Sequence, residues 1–152
     1  MSLSRPGPVL APEPPALRPQ EVGRAGELLA ADYVTDLGWR VLDRNWRPGS
    51  GLRGELDLVA LEPTLRSPGP DRPPGSGPPT LVVVEVKTRT TDAAGPPAGA
   101  VTRLKVARLR ALTAAWLACH EPCAGTVRLD VISIRLRYGL PALLRHHRGV
   151  SL

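Results

Sequence analysis

"LVVVEVKTRT", residues 81–90, opens on leucine and three valines and then admits Glu85 and Lys87. A β-branched run with a Pro/Gly-rich stretch before it and polar residues after it predicts a strand over 81–88. Strand side chains alternate faces, so Leu81, Val83, Glu85 and Lys87 share one face and Val82, Val84 and Val86 the other. An acid and a base two positions apart therefore lie on a face that begins apolar. Burying such a pair is costly unless both ions are well satisfied. Either the end of this strand is open to water or the pair belongs to a site.

The preceding strand speaks to that choice. "GELDLVAL" (54–61) alternates cleanly, with Leu56, Leu58 and Ala60 on one face and Glu55, Asp57 and Val59 on the other, the pattern of a half-buried strand. Consecutive strands usually pair. If their charged faces coincide, Asp57, Glu85 and Lys87 converge, with Glu55 a helper of no settled role. A helix is predicted over 19–37, with Pro19 at its first position, Glu21 near its N-terminus and Gly38 at its close. Val22, Gly26, Leu29, Tyr33 and Leu37 form its apolar stripe. Glu27 lies on the neighbouring stripe with Gly23, Ala30 and Val34, where it can reach the same edge. Clustered carboxylates repel one another and call for a cation. Mg²⁺ (or Mn²⁺) suits them, being held by one or two carboxylates plus water and phosphate. Such an ion acidifies its water, and a neighbouring lysine can orient or deprotonate that water and offset developing charge. These residues are a minimal kit for hydrolysing phosphodiesters.

The rest of the chain supplies a frame. Residues 39–46 read as a first strand and 47–53 as a turn. Residues 62–80 hold seven prolines and three glycines and read as a disordered insert. A second helix is expected over about 99–119, with a small-residue face of Leu104, Ala107, Ala111, Ala115 and Ala118, and with Leu112 and Trp116 alongside. "VRLDVISIRLR" (127–137) alternates as a fourth strand. The order α-β-β-β-α-β predicts an α/β domain, a mixed sheet flanked by helices. A Pro-rich tail (1–18), a single domain (19–137) and a basic C-terminal tail (138–152) complete the expected organisation, with one modest core.

Charge is unevenly placed. Residues 1–98 carry 11 basic and 12 acidic side chains, and residues 99–152 carry 9 and 2, so the second part is net +7. That bias suits a polyanion, DNA before RNA. Arg103, Lys105, Arg108 and Arg110 could line a phosphate track on the second helix, or form a solvated face. Lys87 and Lys105 are the only lysines among 20 basic residues. "CHEPC" (119–123) and the later His146–His147 offer zinc-type ligands without the second Cys pair a zinc site would want. Trp39, Trp46 and Trp116 are expected in the core, because five aromatics in all are too few for a base-stacking surface. The chain shows no signal-peptide pattern and no apolar run long enough for a membrane span, so a cytoplasmic protein with no membrane role is expected.

"GRAGELLAADYV" (23–34), "RNWR" (44–47), "GELDLVA" (54–60), "VVVEVKTR" (82–89) and "RLDVISI" (128–134) together resemble the YraN-like bacterial family of the PD-(D/E)XK nuclease superfamily, over about residues 19–136. The resemblance implies a restriction-endonuclease-like core, also found in Holliday-junction resolvases. It further implies that Asp57 and Glu85 hold a divalent metal, with Glu27 an additional acidic ligand and the main-chain carbonyl of Val86 contributing, and that Lys87 serves the attacking water. Two functions follow as expectations: a metal-dependent DNA endonuclease, acting on branched or structured DNA, and a nucleic-acid-binding or accessory protein that uses the fold without turnover. Resolving a symmetric junction would require a homodimer, and no dimer surface is readable in the chain.

Overall fold

The structure, a computed structural model, describes residues 17–49, 51–64, 77–90, 103–122 and 124–150. Its elements are α1 (Pro19–Asp36), β1 (Arg40–Trp46), β2 (Leu56–Glu62), β3 (Thr80–Arg89), α2 (Arg103–Cys119), β4 (Thr126–Arg137) and β5 (Leu140–His147). The sheet runs β1-β2-β3-β4-β5. β3 and β4 are parallel, as the intervening helix requires, and every other neighbouring pair is antiparallel. The protein is thus α/β, with a five-stranded mixed sheet and two helices.

One helix covers each face of the sheet. Ala30, Ala31 and Val34 of α1 pack on Leu58, Ala60, Val82, Val84, Ile132 and Ile134. Leu109, Leu112 and Trp116 of α2 pack on Val59, Leu61, Leu81 and Val83. Because both faces are covered, β2 is buried on both, against the expectation of a half-buried strand. Trp39 and Trp116 are buried as expected, and Trp46 is half-buried.

Four readings of the sequence change here. The basic tail expected over 138–152 contains β5, which pairs antiparallel with β4. A two-residue turn at Tyr138–Gly139, with Gly139 at φ 63°, makes that hairpin. Pro141, which argues against a central strand, is tolerated because β5 lies at the sheet edge. On α1 the buried stripe is Gly26, Ala30, Ala31 and Val34, while Leu29 and Leu37 are exposed. Small residues take the contact because the helix lies close to the strands. On α2 the reverse holds: Val106, Leu109, Leu112 and Trp116 face the sheet, and Leu104, Ala107, Ala111 and Ala118 face out. The larger side chains bury more apolar area, so they win the inward face. Finally, the insert read over 62–80 includes a ladder pair, Glu62↔Thr80, and Thr64 Oγ1 donates to Pro78 O at 2.6 Å. Residues 65–76, the N-terminal tail through residue 16, and the start of the helix read from residue 99 lie outside the described residues. No described helix is long and apolar enough to cross a membrane.

Candidate active site

The β2–β3 ladder runs from Glu62↔Thr80 to Leu58↔Val84 and stops, while β3 stays paired with β4 as far as Arg89↔Arg135. Continuing the register by one residue sets Asp57 across from Glu85. There a side chain replaces the ladder: Val86 N–H donates to Asp57 Oδ2 at 2.7 Å. The N–H and C=O of a strand residue point to the same side, so the Val86 carbonyl faces this opening too. The chain enters β2 through Gly54 at φ 126°, where a Cβ would lie 3.1 Å from Leu112 Cδ1. Glycine at that position lets β2 begin hard against α2.

Asp57, Glu85 and Lys87 follow the parity of Val59, Leu61, Leu81 and Val83 and so face α2. Between the sheet and that helix lies a cleft of about 380 Å³, lined by Gly54, Glu55, Asp57 and Glu85 below and by Lys105 and Arg108 above. The Glu85 side chain is 11% exposed and makes an ion pair with Lys105. The apolar start of β3 is therefore covered by α2, and its charged continuation opens into the cleft. That resolves the conflict within "LVVVEVKTRT".

The electrostatics follow from this crowding. Burial first, then the neighbouring charge of Glu85, pushes the Asp57 carboxyl up to about 7. Glu27 and Glu55 add to the rise, and the Val86 N–H opposes it. Burial, then the nearby Lys105, holds the Lys87 ammonium below its ordinary range, with Glu85 acting the other way. Glu55 is itself engaged by Arg47, whose Nε and Nη2 donate at 2.9 and 2.7 Å.

Glu27 reaches the site because of its neighbour. A Cβ on Gly26 would sit 1.7 Å from Thr88 Oγ1, so only glycine lets α1 approach β3 this closely. Asn45 Nδ2 then donates to Glu27 Oε2 at 2.8 Å. Asn45 adopts φ 51°, a conformation that Asn tolerates better than most residues. The sequence reading gave Asn45 no role, although an Asn between charged and aromatic residues in "RNWR" was the available signal.

Among the described residues no three His, Cys, Asp or Glu side chains are gathered tightly enough to hold a metal ion. Asp57, Glu85 and the Val86 carbonyl make a sparser donor set of two carboxylates and one carbonyl, which is the kind Mg²⁺ completes with water and phosphate. Burial and the neighbouring carboxylates of Glu85, Glu27 and Glu55 disfavour the anionic form of Asp57, a strain that a cation would relieve. The residues present therefore fit such an ion at Asp57 and Glu85, with Glu27 at the margin.

The basic quartet of α2 is divided. Lys105 and Arg108 line the cleft, Arg110 lines a second groove together with Arg128, and Arg103 is exposed at the start of the helix. The "CHEPC" histidine is structurally engaged: His120 stacks on Trp116 with centroids 4.2 Å apart, and its Nδ1 hydrogen bonds Trp116 O at 2.8 Å. Cys119 is exposed, and Cys123 lies outside the described residues.

On the α1-facing side of the sheet, around β4 and β5, sits a network that the sequence did not announce. Asp130, 1% exposed, is bound by Arg128 Nε and Nη2 at 2.8 and 3.0 Å, by His146 Nε2 at 2.8 Å and by Gly149 N–H at 2.9 Å. Arg128 and Arg148 also pair with Glu62, and Tyr33 Oη lies 3.3 Å from His146 Nδ1. These contacts tie β2, β4, β5 and α1 together, a structural clamp around a buried carboxylate.

The sequence matches the family described as "Uncharacterised protein family UPF0102" over residues 26–134. It is 43% identical over 130 residues to a UPF0102 protein of Mycolicibacterium gilvum, covering 86% of this chain and 93% of that protein. It is 42% identical over 134 residues to UPF0102 proteins of Mycobacterium tuberculosis and Mycobacterium bovis, covering 86% of this chain and 92% of each. The matched family span contains Glu27, Asn45, Asp57, Glu85, Lys87 and Lys105.

Proposed function

The chain belongs to the UPF0102 family, and we propose that it is a divalent-metal-dependent endonuclease, a hydrolase of DNA phosphodiester bonds with a PD-(D/E)XK-type site on a restriction-endonuclease-like core. One observation carries this reading. Asp57 and Glu85 come side by side where β2 and β3 part, with Lys87 on the same face of β3, beneath a helix that presents Lys105 and Arg108.

Asp57, Glu85 and the Val86 carbonyl would hold Mg²⁺ or Mn²⁺. When bound, the ion would supply Lewis acidity at the scissile phosphate and a more acidic water. The chain's own residues do the rest. The Val86 N–H fixes the Asp57 rotamer through Oδ2 and leaves Oδ1 for other partners. Lys87 would face the attacking water: its lowered pKa makes the neutral amine, the form that can accept a proton, easier to reach, while the ammonium form would offset charge on the phosphoryl oxygens. Arg108 provides a fork for a backbone phosphate across the cleft. Asn45 positions Glu27 at the edge of the site, where its charge is felt at Asp57.

The test is cleavage of labelled linear duplex, flap, four-way junction and single-stranded DNA with Mg²⁺ or Mn²⁺, wild type beside Asp57→Ala and Lys87→Ala. Cutting that both substitutions abolish supports the enzyme and names the substrate shape. Wild-type binding without cutting on every substrate sinks the enzyme and leaves an accessory binding protein, a reading that the occupied state of Glu85, paired with Lys105, would then favour.

A further inference from the structure

Lys105 holds a position that the reading above does not account for. Lys87 already supplies the lysine the chemistry needs, yet a second ammonium from α2 lies on the carboxylate of Glu85. It is also the only other lysine in a chain whose remaining 18 basic residues are arginine. A lysine ammonium is a compact point charge on a flexible stem, whereas a guanidinium is a planar fork suited to bidentate pairing. Of the two, the ammonium is closer to a bound cation in its demands on a carboxylate. The Glu85 side chain is only 11% exposed while that of Lys105 is 38% exposed, so Lys105 has more solvent to move into than Glu85 has. Arg108 lies one helical turn on and lines the same cleft.

We propose that Lys105 is an exchange ammonium: it neutralises Glu85 while no divalent cation is bound, and a cation that takes Glu85 releases it to hold a substrate phosphate beside Arg108. This rests on the metal-site reading above. It adds that metal and nucleic acid bind with positive cooperativity routed through one side chain. Two sites coupled in this way must show the coupling in both directions.

The experiment measures binding, not cleavage. Mn²⁺ affinity of the full-length protein is determined by titration calorimetry for wild type, Lys105→Met, Lys105→Arg and Asp57→Ala. Affinity for a short fluorescein-labelled DNA duplex is determined for the same proteins by anisotropy, with Ca²⁺ present or absent. Losing the competing ammonium should tighten Mn²⁺ binding in Lys105→Met by about five- to tenfold, within the range of ordinary coupling energies. Ca²⁺ should raise duplex affinity of wild type by about fivefold or more and of Lys105→Met by less than about twofold. Lys105→Arg should weaken the coupling, because a bidentate guanidinium gives up Glu85 less readily, and melting curves without metal confirm that each variant folds. If Lys105→Met binds Mn²⁺ no tighter than wild type while Asp57→Ala loses it, the exchange is refuted and the metal site stands. If wild type binds no Mn²⁺, both the exchange and the metal site are refuted.

Discussion

Asp57 carries a cost that pH should expose. Its carboxyl lies at about 7 in the folded protein against an ordinary 3.8, so the folded state binds the extra proton between those values. Where the folded state holds more protons than the unfolded chain, stability falls as pH rises. At about 1.36 kcal/mol per pK unit, the interval corresponds to roughly 4 kcal/mol, lost between pH 3.8 and a little above 7. Most of the loss measurable above pH 5, roughly 2.5 kcal/mol, falls between pH 5 and 8. Asp57→Asn removes the titration and keeps an oxygen that can accept from the Val86 N–H. Urea unfolding in EDTA at half-unit pH steps should therefore show the variant gaining on wild type by roughly 2–3 kcal/mol across that range. Saturating Mg²⁺ should flatten the wild-type curve, because a cation at Asp57 holds the carboxylate ionised. Curves for the two proteins that stay parallel within about 0.5 kcal/mol in EDTA would refute the electrostatic reasoning, since the distance between them would then be ordinary mutational offset.

Other substitutions probe the surrounding supports. Gly26→Ala should lose about 2 kcal/mol despite the better helix propensity of alanine, because its Cβ meets Thr88, and adding Thr88→Ala should recover part of the loss in the same denaturant assay. Asp130→Ala should cost about 3 kcal/mol, because half-buried Arg128 keeps only Glu62 while His146 and the Gly149 N–H lose their carboxylate partner. Burial pushes the Asp130 carboxyl up, but Arg128, the Gly149 N–H and His146 outweigh it and hold it below its ordinary value. Its contribution is therefore full above the ordinary carboxylate range and lost as pH falls through the lower folded value, so acid titration by circular dichroism should give Asp130→Asn a shallower acid limb. Lys87→Ala should lower the cleavage rate by about a hundredfold or more while duplex affinity in Ca²⁺ falls less than about tenfold, and a rate that survives would remove Lys87 from the chemistry.

The elements of the core were legible because each has a local cause. Pro19 and Gly38 bracket α1, apolar alternation marks β2 and β4, a β-branched run marks β3, and the order of elements follows from these. β5 escaped because its run of basic residues read as a tail, and only the presence of β4 beside it turns that stretch into an edge strand. The faces of both helices were misread for a shared reason. Apolar periodicity identifies a stripe but does not say how close the sheet comes, and here α1 lies close enough to demand Gly26 and Ala30, whereas α2 stands off far enough to need Leu112 and Trp116.

The sequence by itself determined which residues could carry the chemistry: an acid at 57, an acid and a lysine at 85 and 87, and an acid at 27. Those identities and their strand parity are properties of the chain alone. Only the tertiary structure decided their partners. Asp57 takes the Val86 N–H because the β2–β3 ladder ends one residue earlier, Glu27 is held by Asn45 across an interface that no periodicity describes, and Lys105 leaves its supposed phosphate track to neutralise Glu85. Residue type and alternation are local, whereas the pairing of charges depends on which elements meet. That is settled when the sheet closes between its two helices.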